Sequence, residues 1–128
     1  MILSYNPNDP LFSSQWHLSL IGRLGFDYPG GATGAMGLQR IWADYTGTDI
    51  SVGIWDDGVE KTHWDLAPNY DSSLQVAGND GLPIGTARHG TAVAGLIAGA
   101  DNDRGGVGVA FGASITSIRI FGGADDIN

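Results

Sequence analysis

The residues best suited to chemistry are Asp56, Asp57 and His89. Two carboxylates end the stretch Ile50-Ser-Val-Gly-Ile-Trp-Asp-Asp-Gly58, and the histidine opens His89-Gly-Thr-Ala-Val-Ala-Gly95. A carboxylate that accepts a hydrogen bond from one imidazole nitrogen fixes the tautomer. The other nitrogen is then free to take a proton from a nucleophile. Gly58 and Gly90, being small, let backbone and substrate approach closely. Taken singly these are weak signals, because an Asp-Gly pair is most often a turn and a histidine beside glycine is most often structural. Taken together they suit the acid and the base of a Ser-His-Asp triad. Neither Ser114 nor Ser117 sits in a nucleophile motif, so the third member is expected outside these 128 residues.

Positioning these groups requires a strand and a helix. Ile50, Val52 and Ile54 alternate with Ser51, Gly53 and Trp55, the period of two that a strand produces. The carboxylates then fall at its C-terminal end, where open α/β sheets place their chemistry. Thr91 to about Gly99 reads as a helix, apolar on nearly every side and therefore expected to be buried. Ile115 to Phe121 reads as a second strand. Strand, helix and strand in this order predict a parallel βαβ layout, hence an α/β fold. Leu38 to Tyr45 is expected to form a short helix with Leu38, Ile41 and Trp42 on one face. Pro7 and Pro10 keep residues 5–16 extended and turn-rich. Trp16, Leu18 and Leu20 are expected to lay an arm across the core. Residues 28–34 read as a flexible loop, 61–88 as irregular, and 101–106 as a tight polar loop. The last residues, 121–128, run out without a closing element.

The composition narrows the function classes. The net charge is −8, and Arg23, Arg40, Lys61, Arg88, Arg104 and Arg119 are scattered singly. No basic patch or stripe offers itself to nucleic acid. Glu60 is the one glutamate, and every other acidic residue is aspartate, which suits turns and oxygen cages for hard cations. With no cysteine, neither a disulfide frame nor a thiolate metal site is available. The first residues carry no basic region followed by an apolar core, so no Sec-type signal peptide is visible. No apolar run approaches the roughly 20 residues that span a bilayer.

The flanks of the acidic pair and of the histidine resemble those of the subtilisin-like serine proteases. Val52-Gly-Ile-Trp-Asp-Asp-Gly-Val59 is similar to that family's Asp motif, and His89 to Gly95 to its His motif. The family's triad order of Asp, His, Ser agrees with the order here. The kexin/furin-type proprotein convertase branch is the most similar, because its second motif residue is aspartate, as Asp57 is. Asn8-Asp-Pro10, Gln15-Trp16, Asp56 to Lys61, Asp65 to Asp71 and Arg88 to Thr91 extend the resemblance over about residues 5–122. It departs at Thr86, where convertases carry another acidic residue, at Trp64 in place of proline, and at Val93 in place of cysteine.

The resemblance implies a parallel-sheet subtilisin-like α/β fold of which this chain is the N-terminal portion. On that view residues 1–128 are an incomplete part of a peptidase domain, with an arm over 1–37 and a core over 38–128. Asp56 becomes the orienting acid and His89 the general base. Asp57 would face the substrate residue just upstream of the cleaved one and favour a basic side chain there. The plainer role for Asp57 is a turn carboxylate capped by backbone N–H groups. The resemblance also implies a structural calcium ion, held by the side chains of Asp9, Asp65 and Asn102 and the carbonyls of Ala100, Arg104 and Gly106. Such oxygens are what calcium prefers. His17 and His63 match no catalytic position and read as ordinary surface or packing residues.

The expected function is therefore calcium-dependent, secreted serine endopeptidase activity on polypeptides, with the isolated chain inactive for want of a nucleophile. Two alternatives stay open at this point: a non-catalytic calcium-binding remnant or interaction module, and an unrelated α/β binding domain.

Overall fold

The computed structural model describes residues 4–18 and 36–121. Strand β1 spans Ser51–Asp56, helix α1 His89–Ala98 and strand β2 Ser114–Arg119. The two strands form a parallel two-stranded sheet in register from Ser51 opposite Ser114 to Asp56 opposite Arg119. The βαβ order expected from the hydrophobic pattern is the order observed. Leu20, the loop at 28–34 and residues 122–128 lie outside the described residues.

The core explains why β1 sits where it does. Ile54, Val59, Leu66, Ala94, Ala98, Ala113 and Ile115 form one buried cluster joining both strands to the helix. Burying an Ile or Leu side chain stabilises by about 1.5–3 kcal/mol. A second cluster unites Leu18, Leu38, Trp42 and Val107, with Phe12 and Phe111 packed against it. The arm thus docks through Leu18, whereas Trp16 stays exposed. Gln15 fixes the docking polarly: its amide donates to the Val107 carbonyl (2.8 Å) and its Oε1 accepts from the Val107 N–H (2.9 Å).

Two elements depart most from expectation. The 38–45 segment is a 3-10 turn over Leu38–Arg40 that continues as turns, with Trp42 N–H bonded to the Leu38 carbonyl at 2.8 Å. It starts from Gly37 at φ 66° with no side-chain cap, which weakens its first turn. Helix α1 begins two residues before Thr91, at His89 itself. It also buries only Gly90, Ala94 and Ala98, while Leu96 remains 57% exposed. Small residues at these three positions let the helix lie close on the strands. Val93 and Ile97 pack against the same cluster while partly exposed, and Leu96 faces away from it.

Candidate active site

Asp56 is the last residue of β1 and His89 the first of α1, so the packing of helix on sheet brings them together. The Nδ1 atom of His89 lies 2.8 Å from each carboxylate oxygen of Asp56. Asp56 Oδ1 also accepts the Asp57 N–H at 2.7 Å. That backbone bond, ahead of the histidine, holds the Asp56 carboxyl below the ordinary carboxylate range. The bond to Asp56, and then the carboxylate's charge, push the His89 imidazole above its ordinary value. The aspartate side chain is 15% exposed and the histidine 75%. An oriented imidazole whose Nε2 makes no bond among the described residues suits a general base facing a reactant.

The chain must turn sharply between these residues. Gly58 has φ 104°, and a Cβ there would stand 2.5 Å from the Leu82 carbonyl carbon. Gly90 is equally confined, since a Cβ would come within 2.5 Å of the Gly58 oxygen. Asp57 spends both oxygens on the start of α1. Its Oδ2 accepts from His89 N–H (3.0 Å) and its Oδ1 from Gly90 N–H (2.7 Å).

A second cluster lies beyond the other end of α1. Asp9, 4% exposed, accepts through Oδ1 the N–H groups of Asn102 (3.4 Å) and Arg104 (3.3 Å). Asp65 Oδ1 accepts from the Asn102 amide at 3.3 Å, and the Asp65 carbonyl accepts Ala100 N–H at 2.8 Å. All six residues expected to hold calcium are therefore in or against one loop, 100–106. No group of three or more His, Cys, Asp or Glu able to hold a metal occurs among the described residues. Any cation here must therefore draw on amide and backbone oxygens as well.

The donor set fits a hard cation. Asp9 Oδ2 and Asn102 Oδ1 are buried without a hydrogen-bond partner. The carbonyls of Ala100, Arg104 and Gly106 accept no hydrogen bond from the described residues, whereas those of Gly99, Gly105 and Val107 do. Burial pushes the Asp9 carboxyl up to about 6, with neighbouring Asp101 adding to the shift. Burial also raises Asp65. Unpaired buried acceptors are costly unless a positive charge meets them.

Sequence reasoning missed Asp101. Its Oδ1 is a further buried oxygen without a partner, and its Oδ2 accepts the Tyr5 hydroxyl. The signal was its place in the run Asp101-Asn-Asp103, which read only as a polar turn. His63 and His17 each pack against a tryptophan. His63 accepts the Asp65 N–H at 3.2 Å and stacks on Trp64, and His17 packs edge-on against Trp16.

Comparison with known proteins bears on family and fold. The Subtilase family matches residues 47–127. An "Endoprotease bli" of Onchocerca volvulus is 42% identical over 123 residues, covering 90% of this chain and 17% of that protein. Furin of Homo sapiens is 39% identical over 127 residues, covering 91% and 15% respectively. The solved serine protease of Aeromonas sobria superposes with a TM-score of 0.69 at 32% identity, covering 88% of this chain and 20% of that one. Fervidolysin of Fervidobacterium pennivorans, described as a keratinolytic enzyme related to subtilisin, gives 0.60 at 33% identity, covering 92% and 16%. The chain thus spans less than a fifth of the length of the curated relatives named here.

Proposed function

This chain belongs to the subtilase family, with kexin- and furin-type convertases among its relatives, and from that premise we propose that it supplies two of the three residues of a serine endopeptidase triad. Its parallel sheet with packed helix is part of the subtilisin-like α/β fold. The membership removes the unrelated binding domain from the alternatives.

In this reading Asp56 orients His89, and His89 takes the proton from a serine that lies outside residues 1–128. The whole chain is then N-terminal peptidase-domain sequence, arm 1–37 and core 38–128. The observation that carries the reading is the Asp56–His89 contact at 2.8 Å, made at a strand end by residues 33 apart in the chain. As nucleophile and general base must touch, the serine has to approach the exposed Nε2 side of His89. Asp57 adds negative charge beside the same end of α1 and would favour a basic side chain upstream of the cleaved residue.

The second cluster is a structural calcium site in the same reading, formed by Asp9, Asp65, Asn102 and the carbonyls of Ala100, Arg104 and Gly106. The buried oxygens without donors support it. Calcium there would neutralise the cluster and pin the arm to the loop that follows α1. An extracellular setting, where calcium is abundant, accords with this requirement. No helix among the described residues is long and apolar enough to cross a membrane.

The test is hydrolysis of a peptide carrying paired basic residues by the intact protein that contains this sequence. Cleavage after the pair, abolished by His89→Ala, is expected. Failure of the intact wild-type protein to cleave this or any other peptide contradicts the reading.

A further inference from the structure

The catalytic reading gives work to the ring of His89 and leaves open what fixes its backbone. Helix α1 has no local answer. Its N-cap residue, Arg88, makes no side-chain capping bond, and no acidic residue stands in its first turn. An uncapped helix start leaves N–H groups without partners and frays. Here the partners come from the exit of β1. Asp57 accepts both the His89 and the Gly90 N–H, at 3.0 and 2.7 Å. Two residues into the helix, Thr91 Oγ1 accepts the Glu60 N–H at 3.0 Å. A carboxylate at a helix N-terminus is also favoured by the helix dipole.

We propose that Asp57 is a positioning residue: it clamps the backbone of His89 while its neighbour Asp56 holds the ring. Consecutive carboxylates therefore grip one histidine at two points, and the Asp57 N–H itself bonds Asp56 Oδ1 at 2.7 Å, closing the set. Gly90 is part of the device. With a Cβ it would stand 3.0 Å from Asp57 Oδ1 and 2.5 Å from the Gly58 oxygen, so a side chain there forces the clamp apart. The role is additional to facing substrate, because these bonds run to the chain's own backbone and leave each Asp57 oxygen a further lone pair. Its catalytic consequence rests on the reading of His89 as the general base.

The test compares the intact wild-type protein with Asp57→Asn, Asp57→Ala and Gly90→Ala. One arm follows amide hydrogen exchange at His89 and Gly90. The other measures kcat and KM on a peptide whose residue upstream of the cleaved one is neutral, so that charge attraction plays no part. A clamp predicts faster exchange at those two amides in all three variants, with Asp57→Asn intermediate because it keeps one acceptor. It also predicts kcat lower by about 10²-fold in Asp57→Ala, the size of a misplacement near 1 Å, with KM little changed. Wild-type exchange in Asp57→Ala overturns the clamp. Faster exchange with wild-type kcat on the neutral peptide overturns its catalytic consequence. Should Asp57→Ala not fold, Asp57→Asn and Gly90→Ala decide by the same criteria. An intact wild-type protein without peptidase activity refutes the function proposed above and the kinetic consequence with it, while the exchange arm still decides the clamp.

Discussion

The two ends of helix α1 hold clusters of carboxylates that differ in one respect. At the N-terminal end each oxygen of Asp56 and Asp57 has a partner: Asp57 N–H and the His89 ring for one, His89 and Gly90 N–H for the other. Beyond the C-terminal end, Asp9, Asp101 and Asn102 each bury an oxygen that no donor meets. The first cluster is internally complete, so its geometry is set before any ligand arrives. The second is a set of acceptors facing one another, which is stable only with a proton or a cation among them. Preorganisation by the chain itself suits proton transfer. A cluster of buried oxygens without donors suits an ion that ties distant segments together.

Substitutions at the first cluster should have the largest effects, and on rate rather than stability. In the intact protein His89→Ala should lower kcat by about 10⁶-fold, the magnitude known for subtilisin itself. Asp56→Asn should lower it by about 10⁴-fold through the wrong tautomer, with the fold retained, as circular dichroism would check.

The second cluster should respond in stability. Stripping calcium with a chelator should lower the melting temperature, by an amount equivalent to about 2.7 kcal/mol when the ion had been at a hundred times its Kd. Asp9→Asn should make the protein insensitive to the chelator. The sign of the pH dependence follows from Asp9. Its folded pKa of about 6 is above the ordinary 3.8, so its contribution is fully present below 3.8 and is lost as pH rises through about 6. Calcium-free protein should therefore lose stability over that interval, and added calcium should restore it. Gln15→Ala, which removes both bonds to Val107, should cost about 1–3 kcal/mol in urea unfolding.

The smallest effect separates the clusters by pH. Because the His89 pKa is raised, the stability from its pairing is full below 6.5 and fades as pH rises through the raised value. Because the Asp56 pKa is lowered, its part is present above 3.8 and is lost as pH falls. Catalysis needs neutral His89, so activity should increase over the same interval in which the pairing weakens. Asp56→Asn should move the His89 titration, followed by NMR, down toward 6.5.

Much of this was legible in the sequence because it is written locally. The alternation of Ile50, Val52 and Ile54 marks β1, and the motifs around Asp56 and His89 mark the dyad. What was hidden depends on contacts between segments far apart in the chain. The apolar run places the helix start at Thr91, whereas it begins at His89, where the cap is Asp57, on another element. Leu96 was expected to be buried because an apolar helix normally is, yet α1 fully buries only Gly90, Ala94 and Ala98 among the described residues. Asp101 read as a turn residue because its partner Tyr5 lies in the arm.

The central claim is that Asp56 and His89 act as one unit on a nucleophile, and a double-mutant cycle tests it most directly. The measurement is kcat of the intact protein for wild type, Asp56→Ala, His89→Ala and the double variant. Residues acting as a unit predict that the double variant loses no more than His89→Ala alone. Losses that multiply, or a His89→Ala protein that still cleaves at the wild-type rate, would contradict the account.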